Sequence, residues 1–261
     1  MVEHVEALQT SIDGLDEAGH RGRPILESVM GEEAAKVLII LDVVRGGWTE
    51  QAEVRRRLNY FSSHFARGIY QRVTATNPGT FGETNNYVQL LRPEMYLDGP
   101  NDADWIFRNE IETSRELAVY VDYVKEENHY AWVTPRDTYS SLHWPATITA
   151  DLVCAISRIG LLTEAGLSIA SAEWNGVVVT NEMTFAELFE INSRVTGQII
   201  DRGLYGKNAA QEDFQEVAEH WPFPLFSLDL SKLPVSHEEL ESARSRAEEA
   251  FWRSELGPFD F

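Results

Sequence analysis

The chain has 261 residues, of which 43% are hydrophobic, and this composition is typical of a globular protein that buries a core of its own. Its formal net charge of −20 repels nucleic acids and anionic membrane surfaces, so we expect no general binding to either. No apolar run approaches the length that spans a bilayer, and we therefore expect a cytoplasmic protein without a membrane anchor.

The N-terminal part of the sequence predicts three helices. Apolar residues recur every three or four positions between residues 2 and 12, and Pro24 suits the first turn of a second helix that runs toward Val44. Thr49 is a suitable N-cap for a third helix. In that helix the apolar residues of 54–73 fall on one face, which we expect to be buried.

The composition changes after these helices. A loop rich in Asn, Pro and Gly at residues 77–82 is the predicted boundary of a helical N-terminal segment, residues 1–74. Residues 75–261 are predicted to form an α+β portion that packs with the first segment as one domain. Its strands are predicted at 87–91 and 95–97, in a first hairpin of 117–124 with 129–134, and in a second hairpin of 167–174 with 177–180. The turn of the second hairpin is Asn175-Gly176, a pair that tolerates the positive φ angles of a type I′ turn.

Helices are predicted between and after the hairpins. A helix at 145–159 contains the single cysteine, Cys154, which we expect to be a buried structural thiol. Capping boxes beginning at Thr184 and Ser236 predict two further helix starts. A short helix is expected at 209–221, followed by an extended segment at 222–230. The predicted fold is thus α+β, with helical N- and C-terminal segments around a central antiparallel sheet that carries two hairpins.

A basic stretch stands out in this acidic chain. Residues 51–80 carry five arginines and one carboxylate, a formal charge of +4. On the polar face of the predicted third helix, Arg56, Tyr60, Ser63 and Arg67 follow at helical spacing, with His64 beside them. Such a stripe could bind a phosphate or carboxylate, dock an acidic partner or a second copy of the chain, or pair with internal carboxylates.

Two other patterns are candidates for chemistry. Glu126 and His129 have the spacing by which a helix offers two ligands to a metal, but they fall at a predicted turn, so a solvated turn is favoured and no metal site is expected. His143 lies among hydroxyl-bearing residues before a predicted helix and is the candidate catalytic acid or base, although helix capping explains its surroundings as well. No glycine-rich phosphate loop follows a predicted strand, and we expect no cofactor.

Two functions are consistent with the sequence. The first is an interaction protein of the adaptor, immunity or chaperone type, which uses its acidic surface to bind another protein or itself. The second is an enzyme or ligand-binding domain that acts on a small anion through Arg56, Arg67, Tyr60, His64 and His143. We favour the first because the charge asymmetry is directly observed, while no compact catalytic motif is present in the sequence.

Overall fold

A computed structural model of the protein describes residues 1–15, 22–47, 51–98, 105–126, 129–133 and 144–256. Most of this described chain is helical. Its helices are α1 (Val2–Asp13), α2 (Arg23–Arg45), α3 (Gln51–Tyr60), α4 (His64–Thr74), α5 (Phe81–Leu91), α6 (Glu110–Val119), α7 (Trp144–Arg158), α8 (Glu164–Trp174), α9 (Phe185–Asp201), α10 (Gln211–His220) and α11 (His237–Leu256).

The long helix α2 lies at the centre of the core. It begins with Pro24 in its first turn, as predicted, and packs against α1, α4 and α7. Its apolar residues are spread around most of the helix circumference, and residues such as Leu38 and Leu41 are almost completely buried. A helix that is apolar on nearly all sides must be enclosed by others, which accounts for its central position.

The predicted α+β fold with a central antiparallel sheet is wrong. Four short strands, β1 (Met95–Asp98), β2 (Trp105–Arg108), β3 (Asp122–Glu126) and β4 (His129–Val133), pair antiparallel only as β1 with β2 and β3 with β4. Neither pair extends into a larger sheet within the described chain, and the helices build the core instead.

The second predicted hairpin is a helix and its end. Thr163 caps α8 by accepting a hydrogen bond from the Gly166 N–H at 3.1 Å, and Trp174 is the last helical residue. Gly176 has a φ of +81° and follows the helix terminus. Asn-Gly therefore supplies its positive φ to a helix C-terminus, where that conformation is also common.

The strand predicted at 87–91 belongs to a helix as well. The Thr80 hydroxyl accepts a hydrogen bond from the Glu83 N–H at 3.2 Å, and the Glu83 carboxylate accepts one from the Gly79 N–H at 2.7 Å. These contacts begin α5, which continues to Leu91. Local capping decided the structure against the strand propensity of the residues that follow.

The predicted helix starts at Thr184 and Ser236 are confirmed. At each, the N-cap hydroxyl accepts from the N–H of the glutamate three positions later, and that glutamate accepts from the N-cap N–H. The helix predicted at 209–221 is α10, and Cys154 is buried in α7, where burial raises the pKa of its thiol to about 11. In the described part of the chain, none of the helices combines the length and apolar character that crossing a membrane requires. The domain division at residue 74 stays a prediction.

Candidate functional site

The predicted third helix is broken, and the break divides the basic stripe. Helix α3 ends at Tyr60 and α4 begins at His64, with the Ser63 hydroxyl capping α4 by accepting from the Ala66 N–H at 3.2 Å. The single-helix interpretation is therefore wrong, although an apolar period continues through both helices. Arg56 and Tyr60 lie on α3, while Arg67 lies on α4, and the two halves of the stripe contact different parts of the protein. The proposed N-cap Thr49 lies outside the described residues.

Arg56 donates all five of its N–H groups to acceptors within the chain. Its Nε and Nη2 donate to the Glu53 carboxylate at 3.2 and 2.7 Å. Its terminal nitrogens also donate to the Tyr60 hydroxyl at 3.3 Å and to the carbonyl oxygens of Phe226 and Leu228, both at 3.0 Å. Because a guanidinium has five N–H donors, none is left for an outside anion in this conformation. The hydrogen bond to Glu53 raises the pKa of Arg56.

The partner of α3 is the extended segment 222–230, which we call the strap. Its apolar residues Phe223, Leu225, Leu228 and Leu230 are all buried. Arg57 donates to the Phe226 carbonyl at 3.3 Å and stacks over the Phe226 ring, 4.9 Å from its centroid. Arg56 and Arg57 therefore donate to main-chain carbonyls of the strap, which would otherwise lose hydrogen bonds on burial.

The Tyr60 hydroxyl both accepts and donates hydrogen bonds at the strap. Its hydroxyl accepts from the Leu230 N–H at 3.1 Å and lies 3.4 Å from the Leu228 carbonyl. We expect Tyr60→Phe to lower the free energy of unfolding by about 1–2 kcal/mol, because it leaves strap groups without a partner. Urea denaturation measures this loss. Tyr205→Phe is the matched control, since the Tyr205 ring is half exposed and packs edge-on against Phe214. Equal stability of the two variants would contradict the role given to Tyr60.

A buried ion pair anchors the N-terminal end of the strap. The Asp42 carboxylate is bonded to the Arg45 guanidinium and accepts from the Tyr70 hydroxyl at 2.7 Å and from the Leu225 N–H at 2.6 Å. Arg45 also donates to the Pro222 carbonyl at 2.8 Å. Burial, reinforced by the Asp42 charge, raises the pKa of Tyr70 well above its usual range, which keeps its hydroxyl a donor.

The other half of the stripe, His64 and Arg67, contacts one carboxylate that the sequence pattern did not indicate. Glu32 of α2 accepts from His64 Nδ1 at 2.8 Å and lies 3.0 Å from Arg67 Nη1, while its other oxygen accepts from Arg115 Nε at 2.9 Å. Arg67 is only 5% exposed, and its Nε donates to the Ser63 carbonyl at 3.3 Å. No local pattern identifies Glu32, because its partners are 32 to 83 residues away in sequence. Binding of an outside anion or partner by the stripe of Arg56, Tyr60, Ser63, His64 and Arg67 stays a prediction.

The remaining candidate residues are placed only in part. Glu126 and His129 are cross-strand neighbours in the register of β3 and β4, and the prediction about their side chains lies outside what the structure describes. His143 also lies outside the described residues. Within those residues, no group of three or more His, Cys, Asp or Glu side chains is arranged to hold a metal ion.

A surface on the first half of α9 combines exposed aromatic rings with carboxylates. Phe185 and Phe189 are 39% and 38% exposed, and their ring centroids are 6.4 Å apart. They line a groove of about 500 Å³ together with Glu219, His220 and the loop at 77–79. A second groove of about 350 Å³ on the other flank of α9 is lined by Glu182, Glu187 and Glu190 among others. We call Phe185, Phe189, Glu182, Glu187, Glu190 and Glu219 the α9 surface.

Two carboxylates of the α9 surface, Glu182 and Glu187, accept hydrogen bonds that favour their charged form. The pKa of Glu187 is lowered because the backbone N–H and the hydroxyl of Thr184 both donate to it. The pKa of Glu182 is lowered by a hydrogen bond from the Thr180 hydroxyl. Residues 159–193 contain five glutamates and no Lys, Arg or His. Arg194 follows this segment and also lines the second groove, and it pairs with Glu173 at 2.7 Å. The capping role of Glu187 is predictable from its spacing to Thr184, but this surface has no such local pattern.

No protein-family model matches the chain, and no curated protein or solved structure is significantly similar to it. A function for the protein is therefore inferred from the chemistry of its own surface.

Proposed function

We propose that the protein is an acidic interaction protein whose α9 surface binds a basic segment of another protein. The observation that carries the proposal is the pair of half-exposed rings, Phe185 and Phe189, beside a groove and within an acidic surrounding. Exposed aromatic rings next to a concave surface are common anchors of protein interfaces. A cytoplasmic location is part of this proposal.

The chemistry of the surface defines the partner. Apolar side chains of the partner would occupy the groove beside Phe185 and Phe189, which buries ring area now in contact with water. Lysine or arginine side chains would lie near Glu182, Glu190 and Glu219, whose field favours a basic partner and repels an acidic one. The predicted partner is therefore a basic segment with one or more apolar anchor residues.

Removing both rings is expected to remove binding. We expect Phe185→Ala/Phe189→Ala to weaken the complex at least about tenfold, because interface energy is concentrated in central aromatic anchors. The measurement is capture by the immobilised intact protein, identification by mass spectrometry, and determination of Kd for each purified captured protein. Ile200→Ala is the matched control, since Ile200 is 47% exposed on the distal end of the same helix.

The test separates the proposal from nonspecific adhesion. A supporting partner is basic, is retained by the Ile200→Ala protein, and is lost from the double phenylalanine variant. Its affinity should also fall with added salt, and less steeply after Glu182→Gln/Glu190→Gln, because fewer charge pairs remain to be screened. An acidic partner, or one bound equally by the folded double phenylalanine variant, would contradict the proposal.

A further inference from the structure

A small cavity lies beside Glu32 and its partners, on the side of the molecule built from α2, α4, α6 and α7. Its volume is about 60 Å³, and its polar lining includes Ser28, Glu32, His64, Arg72, Ser114 and Arg115. A cavity needs about 10–15 Å³ for each water molecule, so this cavity has room for about four to six water-sized groups. That is the size of one phosphate or sulfate ion and too small for a nucleotide.

Among the described residues around this cavity, guanidinium groups outnumber the carboxylates with which they pair. Arg67 and Arg115 share Glu32, as described above, and Arg72 Nη2 lies 3.1 Å from Glu110 Oε1. Three guanidinium groups thus meet two carboxylates, an excess of positive charge in a chain whose net charge is −20. The sign of the charge at this site is therefore opposite to that of the protein as a whole.

The guanidinium groups that line the cavity retain donors. In the described part of the chain, the hydrogen bond and ion pair of Arg115 both use its Nε. Those of Arg72 use Nη2, which contacts Ser114 Oγ at 3.1 Å as well as Glu110. Their carboxylate partners fix the orientation of both side chains, so a further acceptor would meet preorganised N–H groups. This contrasts with Arg56, which has none left.

We infer that this cavity is a binding site for one small tetrahedral oxyanion of the phosphate or sulfate class. Arg72 and Arg115 would donate charge-assisted hydrogen bonds to the anion, with Ser28 and Ser114 supplying hydroxyl groups. Glu32, which also lines the cavity, would position His64, Arg67 and Arg115. The inference rests on different residues from those of the α9 surface, and it can fail or succeed independently of the proposed function.

Isothermal titration calorimetry of the intact protein with inorganic phosphate at low salt tests the site. We expect saturable binding of one phosphate per chain, and a rise in Tm with phosphate concentration because the ligand binds the folded state. Phenyl phosphate carries the same group on a ring and should bind at least tenfold more weakly, since the cavity has no room for the ring. The absence of saturable binding at millimolar phosphate, or equal affinity for the two compounds, would overturn the inference.

Substitutions locate the binding. Arg72→Gln and Arg115→Gln should each weaken phosphate binding at least tenfold, whereas Arg194→Gln removes the same charge from a surface pair with Glu173 and should change it less than twofold. Ser28→Leu fills the cavity without changing charge and should abolish binding even if an arginine variant does not fold. Circular dichroism and Tm establish that each variant is folded. An equal loss in Arg194→Gln, or retained binding in folded Ser28→Leu, would show that phosphate binds elsewhere.

Discussion

Replacing Asp42 by alanine is expected to lower the free energy of unfolding by about 3–5 kcal/mol. The substitution leaves the buried Arg45 guanidinium without its carboxylate, between the rings of Trp174 and Trp221, whose centroids are 5.1 and 4.4 Å away. It also removes the acceptor of the Tyr70 hydroxyl and of the Leu225 N–H. A buried charge that loses its partner costs far more than a surface charge that does so.

Chemical denaturation measures this effect, and two further variants make it specific. Asp201→Ala removes an exposed carboxylate and should change the free energy of unfolding by no more than about 0.5 kcal/mol. The double variant Asp42→Ala/Arg45→Met should lose less than the two single changes together, because it leaves no unpaired charge. If Asp42→Ala were as stable as Asp201→Ala, the buried ion pair would not have the role assigned to it.

The second large effect is expected at Gly160, just after helix α7. Gly160 has a φ of +82°, and a Cβ at this position would overlap the carbonyl oxygen of Leu204. Gly160→Ala therefore combines left-handed strain of about 1–2 kcal/mol with an overpacking cost of about 1–3 kcal/mol. We expect a loss of about 2–5 kcal/mol, since the obstructing atom belongs to the backbone and cannot rotate away.

Gly176 separates the two contributions to the Gly160 effect. It has nearly the same backbone conformation, with a φ of +81°, but a Cβ there would meet no atom within 4 Å. Gly176→Ala should therefore lose only the strain of about 1–2 kcal/mol. Thermal or urea unfolding of both variants gives the comparison. Equal losses would mean that the close approach of residues 160 and 204 does not constrain the native state.

Local chemistry in the sequence predicted helix starts well and helix continuity poorly. The capping boxes at Thr184 and Ser236 involve groups three residues apart, so they can be recognised without knowledge of the fold. Ser63 was missed as an N-cap because apolar residues keep their spacing across the break between α3 and α4. Asn175-Gly176 was misassigned because a positive φ serves a hairpin turn and a helix end equally.

Contacts of the candidate site between residues far apart in sequence could not be predicted either. The excess of arginine in residues 51–80 was visible in the sequence, but the acceptors of those arginines were not. Arg56 contacts carbonyl groups about 170 residues away, and Arg67 contacts a glutamate on a different helix. Main-chain carbonyls carry no sequence signature. The partner of the basic stretch therefore could not be predicted from residue type and spacing.

The position of the strap has a consequence for synthesis on the ribosome. Asp42 and Leu225 are separated by 183 residues, which take about 10–40 s to translate at about 5–20 residues per second. During that interval α2 can pair Asp42 with Arg45, but the strap N–H and carbonyl groups that complete their hydrogen bonding do not yet exist. For the same time the core lacks the buried side chains that the strap supplies, Phe223, Leu225, Leu228 and Leu230. We expect the nascent chain to acquire its native core only after the ribosome has passed residue 230.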